Sequence, residues 1–246
     1  MTVRVGTAAW AIPGTWRAHF PEEGTQLIRY AARLPVAEIN SSFHRHHKVA
    51  TYARWAASVG PDFRFAVKLP KTITHGARLH EADDDLRRFA AEVAGLGEKL
   101  GVILVQLPPS LAFEPDIACA FFRQLHSLIP AQVACEPRHP SWFADEAETL
   151  LIDHHVARVA ADPATVPAAA RPGGWDGLAY FRLHGAPRIY WSSYDDSAVK
   201  GHARAARRAL DRAADVWVIY DNTASGAATG NALLLRHLLR SGGAGS

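Results

Sequence analysis

Apolar residues fall along this chain in eight short runs, each of strand length. They are VRVGTAA (3–9), VAEIN (36–40), FRFAVKL (63–69), GVILVQL (101–107), QVACE (132–136), ARVAAD (157–162), AYFRLHG (179–185) and VWVIYDN (216–222). The runs are near-continuous in Val, Ile, Leu, Ala and Phe rather than alternating, the pattern of strands covered on both faces. Between them lie stretches with helical patterning: TQLIRYAARL, VATYARWAASV, DDDLRRFAAEVAGLGEKL, PDIACAFFRQLHSL, DEAETLLIDHH, GHARAARRALDRAA and GAATGNALLLRHLLR. Asp83–Asp85 would cap the third helix and bring negative charge to its start. The link after the sixth run, ATVPAAARPGGW (164–175), is rich in Pro and Gly and shows no amphipathic period. Helix six is therefore expected to be missing or replaced by a loop.

Eight strands alternating with helices in 246 residues predict an α/β fold, a single-domain TIM (β/α)8 barrel over residues 3–240 with a flexible tail at 241–246. A doubly wound open sheet is the alternative, but neither GxGxxG nor GxxxxGK[ST] follows any run. Apolar content of 48% and charged content of 21% suit an ordinary globular protein. No apolar run approaches the roughly 20 residues of a membrane helix, and MTVRVGTAAW lacks a basic-then-apolar leader, so a cytoplasmic location is expected. Cys119 and Cys135 are too few for a disulfide framework or a cysteine-based zinc site, and both read as buried, reduced thiols. The net charge of +3 combines 22 Arg with 5 Lys. Arg204, Arg207, Arg208 and Arg212 share one face of a helix, which reads as a solvated surface or as a polyanion contact.

In a barrel of this kind, the carboxyl ends of the strands and the loops after them carry the site. Nearly every run turns polar at that end. The ends supply Thr7 and Trp10, then Glu38, Asn40 and Ser41, then Lys68 with His75 beyond it, then Gln106. They continue with Glu136, Arg138 and His139, then Asp162, Arg182 and His184, and finally Asp221 and Asn222. Charged groups at the mouth of an apolar strand cost desolvation unless they pair or do chemistry. The segment ACEPRHPSW (134–142) concentrates three ionisable side chains on one strand end.

Three functional readings follow. In the first, an enzyme holds a phosphate- or carboxylate-bearing small molecule in a cationic pocket at the C-terminal face. Glu136 is its base or nucleophile, His184 shuttles a proton and Lys68 takes part in catalysis. Arg138 and Arg182 clamp the anion, and Asn40, Gln106, His139, Trp142, Asn222 and Thr223 contact the substrate. A phosphate would sit at the start of the last helix, expected around Thr223–Ala228. Hydrolysis, isomerisation or lysis fits this class, and no cofactor is required. In the second reading, Glu136, Asp162, His184 and Asp221 bind a divalent metal for an isomerase or phosphoesterase, against which stand the neighbouring cations Arg138, Lys68 and Arg182. In the third, the chain is a non-catalytic nucleic-acid-associated protein whose Trp10, Trp16, Phe43, Trp142, Tyr190, Trp191 and Tyr194 stack bases.

The ordered motifs GTAAW, VAEINSSFHR, FRFAVKLPKTITH, VQLPPSL, EPRHPSW, FRLHG and YDNTASGAATGNAL resemble the YecE-like family, domain of unknown function 72, from about Val3 to Leu235. The resemblance implies a TIM barrel and brings no established activity. The chain departs from the family pattern at Ala8 and Ala9, at Ala11–Ile12, at His44 and at Pro137. It also has Asp221 where the family often has Asn, which counsels against an essential role for that carboxylate.

Overall fold

The structure, a computed structural model, describes residues 3–241. Ten strands form one sheet: β1 (Val3–Ala8), β2 (Val36–Ile39), β3 (Arg64–Lys68), β4 (Leu100–Gln106), β5 (Gln132–Glu136), β6 (Val156–Arg158), β7 (Ala160–Asp162), β8 (Gly173–Gly174), β9 (Leu178–Leu183) and β10 (Asp215–Tyr220). Their order is β7-β9-β10-β1-β2-β3-β4-β5-β6-β8, and every pairing is parallel except that of β6 with β8. Seven helices cover the outside: α1 (Gln26–Ala31), α2 (Val49–Ala57), α3 (Asp83–Val93), α4 (Pro115–Leu128), α5 (Asp145–Asp153), α6 (Asp196–Leu210) and α7 (Ala227–Ser241).

The sixth predicted run is broken rather than continuous, and the break closes the ring. β6 pairs with β5 and β7 pairs with β9, with Val159 between them still donating its N–H to the Cys135 carbonyl at 2.8 Å. One chain segment thus serves one neighbour with its first half and the other with its second. The eight predicted runs accordingly make an eight-membered TIM-type barrel, with β8 as a short addition.

Helix six is absent, as expected. A single 3-10 turn, Pro167–Ala170, and the antiparallel β8 stand in its place. This segment is anchored by Arg158, whose guanidinium donates to Glu148 at 2.9 Å and to the Ala168 carbonyl at 3.0 Å, while the Gly174 N–H donates to Glu148 at 2.6 Å. Two further expectations need correcting. Asp83–Asp85 lie in the first turn of α3 but the N-cap is Ala82, without a side-chain cap bond, so they act through the helix dipole and, for Asp84, an ion pair with Arg87 at 3.3 Å. Of the tail expected at 241–246, Ser241 instead closes α7, and residues 242–246 lie outside those described. Among the described residues no helix is long and apolar enough to cross a membrane.

Strand alternation sorts side chains into two cores. The larger packs strands against helices and includes Phe65, Val67, Ile103, Val105, Tyr52, Phe89 and Phe122. The smaller fills the lumen with Ala8, Val36, Ala66, Val102, Leu104, Ala134, Leu178, Tyr180, Trp217 and Ile219. Tyr180 and Trp217 stack there with ring centroids 6.0 Å apart, a plug of aromatic surface beneath the mouth. Gly101 makes room for that plug. A Cβ at residue 101 would stand 2.8 Å from the Trp217 ring, closer than side chains approach. Overpacking of this kind costs about 1–3 kcal/mol. Gly101→Ala is therefore expected to lower the urea midpoint at unchanged slope, and an unshifted midpoint would show that the plug has slack.

Candidate functional site at the mouth of the barrel

The same alternation that puts Tyr180 in the lumen puts Arg182 two residues above it and His184 two above that. Glu38, Lys68, Gln106, Glu136 and Asp221 come to the same level from β2, β3, β4, β5 and the end of β10. Arg182 is fully buried and stands at the centre. Its Nε and Nη2 donate to the two oxygens of Glu38 at 3.0 and 2.7 Å, a bidentate pair. Nη1 donates to Glu136 at 2.5 Å, and Nη2 donates also to Asp221 at 2.8 Å. Tyr180 donates its hydroxyl to Glu38 at 2.8 Å. Three carboxylates from three strands therefore converge on one guanidinium.

His184 lies between two of those carboxylates, with Nδ1 3.1 Å from Asp221 and Nε2 3.1 Å from Glu136. An acceptor at each ring nitrogen is satisfied on both sides only by the imidazolium. Burial opposes that charge, but Glu136 and the hydrogen bonds to Asp221 and Glu136 outweigh it and raise the pKa. Burial likewise pushes the Glu136 and Asp221 carboxyls up, and Arg182 foremost, with His184, reverses the sign. Glu136 ends well below the usual carboxylate range and Asp221 is lowered. Arg138 donates through Nη2 to Glu136 and to the Tyr190 hydroxyl, both at 3.2 Å.

Lys68 differs from all of these. It is 9% exposed and makes no hydrogen bond through Nζ among the described residues; its ammonium rests 3.9 Å from the centre of the Phe43 ring. Burial, then the charge of Arg182, lowers its pKa to about 8 against the opposing pull of Glu38, Glu136 and Asp221. Lys68 opens into a cleft of about 560 Å³ lined also by Asn40, Ser41, Phe43, His44, Lys71, His75, Gln106, Tyr190 and Asp221. Asn40 Oδ1 is buried without a partner. The pKa of His75 is lowered by burial and by the charges of Lys68 and Arg138, which keeps its ring neutral at pH 7. Ser42 pins the floor by donating to the carbonyls of Ile39 and Lys68 at 2.9 and 2.6 Å. A depression of about 770 Å³ elsewhere, between Trp16, Arg33 and α7, shares none of these groups.

Several expected roles change with this geometry. Arg182 has no access to an anion in the cleft, because it is buried beneath and committed to carboxylates. Glu136, with both oxygens taken and its charge stabilised, is a poor base. His139 accepts from the Ser141 N–H at 3.2 Å and caps the turn Pro140–Phe143. Trp142 is buried and donates to the Leu111 carbonyl at 3.0 Å. Asn222 is buried and donates to the Ser192 carbonyl and to Asn231, tying the β9–α6 loop to α7. Thr223 stands exposed in a turn, and α7 starts at Ala227, within the range expected for it. The metal set does not assemble. Among the described residues no three His, Cys, Asp or Glu side chains are placed to hold an ion, and Arg182 sits between Glu136 and Asp221. Of the aromatics expected to stack bases, Trp142 and Tyr194 are buried, Trp10 packs edge-on to Trp55 and Trp16 lies against Gly230, whereas Tyr190 and Trp191 are exposed and Phe43 lines the cleft.

Two contributors were missed or misassigned. Tyr180 has the same strand parity as Arg182, two residues before it, and that spacing was the available signal. Tyr190 reaches the cleft from the β9–α6 loop with a positive φ of 65°. Gly185, at φ 92°, starts that loop, and a Cβ there would meet the Ser192 carbonyl oxygen at 2.7 Å.

Fold and site together define the class: a TIM-type barrel with an ion-paired lumen mouth beneath an open cleft. A family model described as "Protein of unknown function DUF72" matches residues 4–245, and the chain belongs to that family. The UPF0759 protein YecE of Escherichia coli K12 is 32% identical over 174 residues, which cover 68% of this chain and 61% of that protein. Its counterpart in Escherichia coli O157:H7 is 32% identical over 152 residues, 60% of this chain and 53% of the relative. The matched stretch is thus less than two thirds of the length of either relative. A crystal structure of a DUF72 family protein from Enterococcus faecalis V583 superimposes with a TM-score of 0.82 at 20% identity, covering 97% of this chain and 96% of that one. Another from Thermotoga maritima MSB8 gives 0.79 at 24% identity, covering 98% and 100%. These likenesses show the fold.

Removing one partner of a buried ion pair leaves the others uncompensated, at a cost of about 3–5 kcal/mol. Arg182→Leu strands three carboxylates and is expected to lose at least that much in urea denaturation; a loss under about 1 kcal/mol would show that the carboxylates are not held by Arg182. The raised pKa of His184 adds stability that is complete below its ordinary value of 6.5 and is lost as pH rises through the folded value. Denaturation midpoints should therefore fall across that window in the native chain and stay flatter in His184→Gln. Equal slopes in the two proteins would refute the charged imidazolium.

Proposed function

We propose that this protein is an enzyme that binds a small molecule bearing a phosphate or carboxylate in the cleft above the ion-paired cluster and moves a proton on it. What carries this reading is Lys68, a side chain 9% exposed whose ammonium reaches the cleft with no hydrogen-bond partner among the described residues, beside an unpaired Asn40 oxygen. A largely desolvated charge without a partner is costly, and an anionic ligand would satisfy it. Lys71 on the rim adds a second positive charge, and Gln106 and Asn40 add polar contacts that orient the bound molecule. With a pKa of about 8, Lys68 exchanges protons near neutral pH.

Isomerase or lyase chemistry through the Lys68 amine fits the arrangement better than hydrolysis through Glu136 and His184, which are both committed to ion pairs and not free to activate water. Their part is to fix the floor of the cleft and set the field at Lys68. Glycerol 3-phosphate and pyruvate are expected to raise the melting temperature of the native protein and of Lys200→Met, whose lysine is exposed on α6, and to leave that of Lys68→Met unmoved. The reading fails if neither compound shifts the native protein, or if Lys68→Met responds equally.

A further inference from the structure

We propose that Lys68 is an amine nucleophile that forms an imine with an aldehyde or ketone carrying an anionic group. The inference rests on the cleft being the anion-binding active site and names its substrate class. Four properties of the site support it. Of the five lysines, Lys48, Lys71 and Lys200 are exposed and Lys99 is spoken for by the Gly60 carbonyl, whereas Lys68 is buried with its Nζ free. The Nζ contacts an aromatic face rather than a carboxylate, so no ion pair has to break before it reacts. The three acidic groups nearest it are bound to Arg182, with His184 and Arg138 completing their coordination, and they do not compete for its proton. Finally, the cleft is large enough for a substrate of a few carbon atoms with its phosphate, and Lys71 stands on its rim.

The chemistry balances within the cleft. The neutral amine adds through its lone pair to the carbonyl carbon, giving a carbinolamine. A proton shed by the nitrogen and one donated by the Tyr190 hydroxyl leave with the former carbonyl oxygen as water. Arg138, 3.2 Å from that hydroxyl, offsets the charge left on it until solvent returns the proton. The product is an iminium, a C=N bond in place of C=O whose nitrogen keeps the amine's second hydrogen, and its positive charge withdraws electrons from the neighbouring C–H or C–C bond. A depressed lysine pKa supplies the neutral amine this needs: at a value of about 8, roughly a tenth of Lys68 is neutral at pH 7.

The test traps the imine by reduction. Native protein is incubated separately with dihydroxyacetone phosphate, pyruvate and glyoxylate, treated with sodium borohydride, and examined by intact mass and peptide mapping. At least one compound is expected to leave a single adduct on Lys68, with a yield that rises as pH passes 8. Lys68→Arg keeps the positive charge and cannot form an imine, so it should show no adduct yet still be stabilised by glycerol 3-phosphate. No adduct from any of the three compounds, or adducts spread over Lys48, Lys71, Lys99 and Lys200, overturns the imine. If glycerol 3-phosphate still raises the melting temperature of the native protein, that failure is confined to the imine and the anion site stands; if it does not, both readings fall. Mapping on the native chain keeps the test decisive even where Lys68→Arg folds poorly.

Discussion

The guanidinium of Arg182 is the constraint on which the upper half of this barrel depends. Withdrawing an ion from water costs several kcal/mol even after relaxation, and here Glu38, Glu136, Asp221 and Arg182 are withdrawn together. The arrangement is tolerable because the guanidinium presents its donors in a rigid fork, and β2, β5 and β10 each deliver an acceptor to it. The barrel supplies that precision, since parallel registry fixes which strand ends stand level. In return, three strands are bound at their carboxyl ends to a fourth, β9.

Counting charge around that hub explains what the site can do. The three carboxylates are balanced by Arg182, His184 and Arg138, so the ion-paired cluster is close to neutral as a unit. Lys68 is the surplus positive charge at the mouth. The field that lowers its pKa comes from Arg182 after burial, and the carboxylates, already neutralised, restore it only in part. The cationic character expected of the pocket therefore belongs to Lys68 and Lys71, while the arginines work below or behind it. Asp221 fits this account: it accepts from Arg182 and lies 3.1 Å from His184 Nδ1, so it helps hold the charge on that ring.

Much of the fold was legible because barrels repeat. Eight apolar runs of one length, with helices between, leave few alternatives, and the aperiodic stretch 164–175 correctly marked the missing helix. The split of strand six at Val159 was not legible. Nothing in ARVAAD distinguishes one strand from two, and the break comes from closing the ring between β5 and β9. Nor was the role of Arg158, which ties the helix-free segment to Glu148 and is read from sequence only as one more arginine.

The site divides along the same line. That Glu38, Lys68, Gln106, Glu136, Arg182, His184 and Asp221 gather at one end followed from each closing a strand, and parity alone places them in the lumen. Sequence reports that charges converge but not how they pair, and the proposed function turns on that pairing. Glu136 looked like the reactive group because it is flanked by cations; those same cations hold its charge and remove its basicity. Lys68 looked like one cation among several, and it is the one whose Nζ no carboxylate reaches. The proposed reactivity falls to the group that pairing passes over. At this barrel mouth that group is an amine on the wall of an open cleft.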